Sequence, residues 1–304
     1  MIEIKHIALA GATGNLGTSM MDVLLESCDF VVTALKRVGS ESTFPTRVQI
    51  VEVDYSSLEQ LTVALEGQDA VICTFGMGTD ASVHKQLIDA AVAATVKRFI
   101  PSEFSLDIMN KLVRQLPVFE NKLKVIFYLE ERTYNSEMTY TYVINSAFLD
   151  WGFQHNFILD LSQNNPIIFG SGDELFSTTT VSIAAKAVLG VLKNYEKTKN
   201  RAVYIHDAVV SQNILLGIVK KHTPGKLWKP VHVDLRQLKV DSDSNIEKGT
   251  YDMSTLYSYL CVALFSNGYG GRLEKTDNDL LGIKEMTPSE IEDIVRVHLT
   301  SNSY

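Results

Sequence analysis

Along the first half of the chain, apolar residues come in short runs, each closed by a polar or glycine-bearing turn and followed by a segment with helical spacing. The runs are Ile4 to Leu9, Phe30 to Leu35, Val48 to Val53, Ala70 to Thr74, Arg98 to Ile100 and Tyr140 to Ile144. Between them, Thr18 to Glu26, Leu58 to Leu65, Ser82 to Ala94 and Phe119 to Glu131 read as amphipathic helices. Short apolar strands alternating with helices predict a parallel sheet covered on both faces. Beyond Ile144 the rhythm is irregular. Ile167 to Phe169 reads as a short strand, Gly170-Ser171-Gly172-Asp173 as a hairpin turn, and Asp241 to Asn245 as a flexible polar loop. Further strands are expected at Ala202 to His206 and Val231 to Val233. Helices are expected over Ser182 to Leu192, Gln212 to Lys221, Thr255 to Phe265 and Pro288 to Leu299. The expected fold class is α/β: a doubly wound parallel sheet over residues 1–150, then a smaller α+β lobe over 151–304, some segments of which return to the first part.

Composition narrows the function. With 304 residues, 45% hydrophobic and 21% charged, the chain can bury a large core, which excludes extended disorder and fibrous architecture. Its 28 basic and 36 acidic side chains give a net charge of −8, and no basic patch interrupts the balance. Nucleic acid and anionic membrane surfaces are therefore not expected partners. Cys28, Cys73 and Cys261 are odd in number and lack paired spacing, so they read as reduced core thiols rather than a zinc site or a disulfide framework. The amino terminus passes from a charged strand start straight into a glycine turn. With no long apolar stretch there, a soluble, cytoplasmic protein is expected.

The candidate chemistry sits at the carboxyl ends of the predicted strands, where open parallel sheets bind ligands. After the first strand, Gly11, Thr13, Gly14, Asn15, Leu16 and Gly17 form a turn of the type G-x-x-G-x-x-G that opens a helix. Glycines there permit a tight bend, let backbone approach a pyrophosphate, and let the helix pack closely on the strand. The helix amino terminus then faces the anion. About 20 residues further on, an NAD-binding unit places an acidic residue for the ribose hydroxyls. Here that position is Arg37, whose guanidinium suits a 2′-phosphate, so the expected cofactor is NADP(H). The other strand ends contribute Asp54, Thr74, Phe75 and Gly76, and then Ser102, Glu103 and Phe104. Asn145, Ser146, Phe148 and Trp151 follow the sixth strand and are candidate substrate contacts, although Trp151 and Phe153 serve equally well as glue between lobes.

Several stretches together, Gly11-Ala12-Thr13-Gly14-Asn15-Leu16-Gly17, Pro101-Ser102-Glu103-Phe104, Val118-Phe119-Glu120-Asn121-Lys122 and Phe148-Leu149-Asp150-Trp151-Gly152, resemble the isoflavone-reductase-like, NmrA-like group of atypical short-chain dehydrogenases/reductases. The last of them points to fungal members. This resemblance implies a Rossmann domain with a smaller carboxyl-terminal substrate domain, NADPH as cofactor, and an aromatic or conjugated small-molecule substrate, Phe104 walling the nicotinamide and touching the substrate. It also implies that Lys122 contacts the nicotinamide ribose and transfers a proton, whereas a helical lysine without the motif would simply face water. One departure stands out: Ser105 occupies a position where the family commonly has glycine, adding a side chain near the expected nicotinamide.

Other motifs carry less. Tyr195 and Lys199 match the Tyr-x-x-x-Lys pattern but lie in a charged connector and read as a solvated helix end. The seven histidines are dispersed without metal-ligand spacing, so no metal is expected, and His206 and His232 read as satisfied surface or core residues. A G-x-S-x-G elbow is absent. The leading expectation is an NADPH-dependent reductase of specialised metabolism. The alternatives are a dinucleotide-sensing regulator of a partner protein, which in this group generally lacks the lysine, and a redox-neutral enzyme on the same fold. Oligomeric state is not readable from the sequence.

Overall fold

The structure, a computed structural model, describes residues 3–301. The first half runs β1 (His6–Ala10), α1 (Asn15–Ser27), β2 (Val31–Arg37), β3 (Gln49–Val53), α2 (Leu58–Leu65), β4 (Ala70–Cys73), α3 (Ala81–Ala93), β5 (Arg98–Ile100), α4 (Glu120–Tyr134) and β6 (Thr139–Ile144). Then follow β7 (Ala147–Phe148), α5 (Leu149–Gln154), β8 (Ile167–Phe169), β9 (Phe176–Thr179), α6 (Val181–Lys193), α7 (Tyr195–Thr198), β10 (Arg201–Tyr204) and β11 (Ala208–Val210). The chain closes with α8 (Gln212–His222), β12 (Val231–Val233), α9 (Leu235–Glu247), α10 (Met253–Phe265), α11 (Asn278–Leu281) and α12 (Pro288–Ser301).

Seven strands form the main sheet in the order β10-β6-β5-β4-β1-β2-β3, every pair parallel. This is the doubly wound, Rossmann-type arrangement expected from the sequence. Period-two alternation divides its two cores. In β1, Ile7 and Leu9 pack with Met20 and Leu24 of α1 and Val188 of α6, while Ala8 and Ala10 face the opposite layer with Leu61, Leu87 and Ile126. The strand order reverses between β1 and β4, and at that point the chain ends of both open a crevice.

The remainder makes a smaller lobe with a three-stranded sheet, β11-β9-β7, and a parallel β12–β8 pair. The expected hairpin at Gly170–Asp173 is not formed: β8 pairs with β12 and β9 with β11 and β7, so the turn carries the chain from one sheet to another. The expected loop at Asp241 to Asn245 is helical, inside α9. Asp234 caps that helix by accepting from the amides of Arg236 and Gln237. Three of its polar residues are used: Ser242 donates to the Leu238 carbonyl, Asp241 accepts from the Gln237 side-chain amide, and Tyr259 of α10 donates to Asp243 at 2.8 Å. Local polarity resembled a loop, but packing of α10 on α9 decides the conformation. Of the cysteines, Cys73 and Cys261 are buried as expected, whereas Cys28 is exposed at the left-handed end of α1. No helix among the described residues is long and apolar enough to cross a membrane.

Tyr195 also departs from expectation. Lys199 is exposed and paired with Glu196, but Tyr195 is buried beneath Arg98, whose guanidinium lies 4.3 Å from its ring centroid. Arg98 is wholly buried without a carboxylate. It donates to the hydroxyls of Thr139 (2.9 Å), Thr141 (2.6 Å) and Thr198 (3.0 Å) and to the Tyr195 carbonyl (2.8 Å). Burial pushes its pKa down to about 10, still well above neutrality. This cation therefore fastens the β5–β6 end of the sheet to α7 through hydrogen bonds and its contact with the Tyr195 ring, without an ion pair. Arg98→Leu, which removes the buried donor of four hydrogen bonds, is expected to lower the unfolding free energy by roughly 3 kcal/mol or more in urea denaturation; a loss below about 1 kcal/mol would show that the fastening is dispensable.

Candidate functional site

At the switch point the chain leaves β1 through Gly11, in the left-handed region at φ +79°. A Cβ there would meet the Thr74 carbonyl oxygen at 2.8 Å, and one at Gly17 would meet the Gly11 carbonyl oxygen at 2.1 Å. Both positions therefore exclude side chains, and α1 starts directly above the strand ends. Its first turn holds no acidic residue, and no side chain caps its amino terminus, so its free amides are open to an anion.

Below this terminus lies a cavity of about 520 Å³. It is bordered by Gly14, Asn15 and Leu16 from α1 and its turn, and by Thr74, Phe75 and Gly76 after β4. Ser102, Glu103, Phe104 and Ser105 after β5, Lys122 on α4, and Ser146, Phe148 and Trp151 after β6 complete that side. The strand ends thus bring most of the sequence-derived candidates onto one space. Gly11 and Gly17 lie behind the turn as packing positions, and Thr13 is exposed on it. Arg37 is exposed at the end of β2 and Asp54 at the end of β3, where Asp54 accepts from the amide and hydroxyl of Ser56. Neither borders the cavity. Asn145 is buried to one side, with its Nδ2 donating to the Ser146 carbonyl and its Oδ1 unpartnered.

Lys122 is the one lysine on the cavity wall. Its Nζ donates to the Ser102 carbonyl at 2.5 Å and lies 3.4 Å from Glu103 Oε2, with 19% of the side chain exposed. Ser102 is held in turn, its hydroxyl donating to the Phe75 carbonyl at 2.7 Å. Glu103 is buried, and burial pushes its carboxyl above the ordinary carboxylate range while the Lys122 ammonium opposes the shift. By contrast Lys124, two residues on, is exposed and paired with Glu120. The hydroxyl of Ser105 is buried without a partner.

Sequence reasoning missed other wall residues. His84 is buried on α3, its ring edge against Phe75 at 5.1 Å between centroids. Asn121 precedes Lys122 and could have been found from that motif. His155, at the carboxyl cap of α5, stacks on Trp151 at 4.2 Å between centroids. Phe157, Met253, Tyr257 and Leu260 close the wall from the smaller lobe. Nothing in their local sequence marks them, because α10 reaches the cavity only through the tertiary fold.

A Ser-His-Glu cluster lies elsewhere. Ser177 Oγ is 2.9 Å from His206 Nδ1, and His206 Nε2 is 3.2 Å from Glu285. Ser177 is completely buried within β9, accepts from the Leu273 amide and borders no part of the cavity, so the cluster fastens the carboxyl-terminal segment. Among the described residues no group of His, Cys, Asp or Glu is arranged to hold a metal ion.

Comparison with known proteins agrees with this architecture. A family model described as NmrA-like matches residues 3–258. Oxidoreductase aprR of Aspergillus flavus is 33% identical over 294 residues, covering 94% of this chain and 96% of that protein. Among solved structures, AtPrR2 with NADP+ and (+)pinoresinol superposes with a TM-score of 0.79 at 19% identity, covering 98% of this chain and all of that one. The leucoanthocyanidin reductase–NADPH complex from Vitis vinifera gives 0.75 at 19% identity, covering 97% and 99%. At that identity the structural likeness speaks to the fold.

Burial, reinforced by the nearby Lys122 charge and only partly offset by Asp80, pushes the His84 pKa from 6.5 down to about 4. The unfolded chain therefore binds a proton between these values that the native protein does not, and stability falls as pH drops from 6.5 to about 4. His84→Phe lacks this component. The difference in unfolding free energy between the native protein and the variant is expected to shift by about 3 kcal/mol in favour of the variant over that range; parallel pH profiles would contradict it.

Proposed function

The chain belongs to the NmrA-like family, and on that premise we propose that it is an NADPH-dependent reductase of an aromatic or conjugated small molecule. The observation that carries this reading is Lys122, whose ammonium is anchored by Ser102 and Glu103 on the wall of an aromatic-lined cavity that opens beneath the α1 amino terminus.

The residues fit a dinucleotide. The uncapped α1 amides and the side-chain-free approach at Gly11 and Gly17 suit a pyrophosphate, with Gly14, Asn15 and Leu16 on the cavity side. Arg37, exposed and in no salt bridge among the described residues, suits the 2′-phosphate, with Thr13 and Asp54 at the same edge. Thr74, Phe75 and Gly76 line the path to Ser102, Glu103, Phe104 and Lys122. Bound there, NADPH supplies the hydride. Residues up to about 150 serve mainly the dinucleotide, and the later lobe encloses the substrate against Phe104, Ser146, Phe148 and Trp151. Asn145 supports that wall from behind.

This chain's own contribution is positioning, dryness and a proton. Phe75, Phe104, Phe148, Trp151, Phe157 and Tyr257 exclude water and suit a planar ring. Lys122 holds its proton at Nζ within reach of the cavity, on an amine that the Ser102 carbonyl orients and the Glu103 carboxyl accompanies. AtPrR2 is seen with NADP+ and (+)pinoresinol and the Vitis enzyme with NADPH; this chain shares their fold and the same reading extends to it. A dinucleotide sensor would need neither the lysine nor the enclosed aromatic wall.

Two outcomes follow. In calorimetric titrations NADPH is expected to bind at least tenfold more tightly than NADH, and Arg37→Ala to remove most of that preference while leaving NADH binding unchanged; equal affinities in the native protein would contradict the assignment. In a screen for NADPH oxidation by aromatic ketones, enones and quinones, Lys122→Ala is expected to lower kcat about 100-fold or more with NADPH affinity nearly unchanged. Retained turnover would remove Lys122 from the chemistry.

A further inference from the structure

The cavity wall holds a second polar group whose geometry is set by a partner behind it. His84 Nδ1 lies 3.9 Å from the Cys73 sulfur, and this contact leaves Nε2 for the cavity that the ring borders. A thiol sulfur is a weak hydrogen-bond acceptor, whereas the lone pair of a neutral imidazole nitrogen is a good one. Burial pushes the Cys73 thiol up to about 12, so it keeps its proton, and Nδ1, 3.9 Å away, is the acceptor that proton faces. An imidazole that accepts at Nδ1 and is neutral carries its own proton on Nε2. Neutrality follows from the same burial and from the ammonium of Lys122 nearby. The ring is further fixed by Phe75, which packs edge-on against both His84 and Tyr55.

We propose that His84 is a substrate-contacting, specificity-determining residue that donates a hydrogen bond from Nε2 to an oxygen of the ligand, so that the site selects aromatic compounds bearing two oxygen acceptors, one for Lys122 and one for His84. This inference rests on the reading of the cavity as a substrate site, and it names the substrate class more narrowly. Where aromatic and aliphatic side chains make up most of the surroundings, an N–H without an acceptor is penalised. A ligand lacking the second oxygen therefore loses affinity while one carrying it gains, which is how buried polar groups generate discrimination. Cys73 acts through His84, as a positioning residue that fixes the tautomer.

The test uses the full chain saturated with NADP+ and size-matched probes with and without the second acceptor: para-hydroxyacetophenone against para-ethylphenol, and the corresponding acetyl- and ethyl-naphthols. Calorimetry is expected to show the ketone binding about tenfold more tightly in at least one pair. In His84→Phe that advantage should fall below about twofold while the affinities for NADP+ and the ethyl compounds hold. His84→Gln, which keeps an N–H donor, should restore part of it. Long-range proton–nitrogen NMR of the native protein should find the His84 proton on Nε2, and Cys73→Ala should mix the tautomers. A preference that survives in His84→Phe, a native protein with no preference in either pair, or a proton on Nδ1 would each overturn the proposal. Where His84→Phe does not fold, His84→Gln and the tautomer decide it. If NADP+ fails to bind but the ketone preference, measured without dinucleotide, depends on His84, the reductase reading falls and this one stands. If NADP+ binds and the preference is absent, the reverse holds.

Discussion

The structure depends on how closely one helix start can approach two strand ends. With the Gly17 Cα lying against the Gly11 carbonyl and Gly11 against Thr74, no side chain fits at either contact, and α1 begins immediately above β1 and β4. Thr74 completes the contact by donating from its hydroxyl to the carbonyls of Ala10 and Gly11, 2.9 and 3.0 Å away. Because the strand order reverses there, the loops after β1 and β4 diverge instead of crossing the gap. A cavity with helix amides on one rim is the geometric result.

The chemistry at the other rim depends on a relay of backbone carbonyls. Phe75 O accepts from the Ser102 hydroxyl, and Ser102 O accepts from Lys122. The loops after β4 and β5 thus set where the ammonium sits, and α4 only delivers the side chain. Cys73 and His84 form a parallel connection from β4 to α3. Lys122 and His84 are therefore both held from behind by residues at the ends of β4 and β5, and aromatic rings border the space in front of them. Few, well-oriented donors in an apolar enclosure discriminate among ligands more sharply than many solvated ones.

Much of this was legible in the sequence because it is local. Strand, glycine turn and helix follow one another within the first 27 residues, and the strand ends that meet at the cavity each close a short apolar run. Lys122 was legible only through its motif, since its helix carries an equally spaced exposed lysine at 124. What escaped is tertiary. The polarity of Asp241 to Asn245 is that of a loop until Tyr259 from α10 bonds Asp243. Tyr195 looks solvated until Arg98, 97 residues earlier, covers it. His84 has no motif at all: its importance arises from Cys73, one strand away, and from Phe75. Met253, Tyr257 and Leu260 reach the wall only because α10 packs back over the first half.

The central claim is that one cavity holds the dinucleotide with its reactive end beside Lys122, and a crystal structure of the protein with NADPH tests it most directly. The account predicts the pyrophosphate on the α1 amides after Gly14, the 2′-phosphate at Arg37, and the nicotinamide between Phe104 and Lys122. A dinucleotide whose nicotinamide lies outside the cavity, or whose 2′-phosphate has no contact with Arg37, would contradict it.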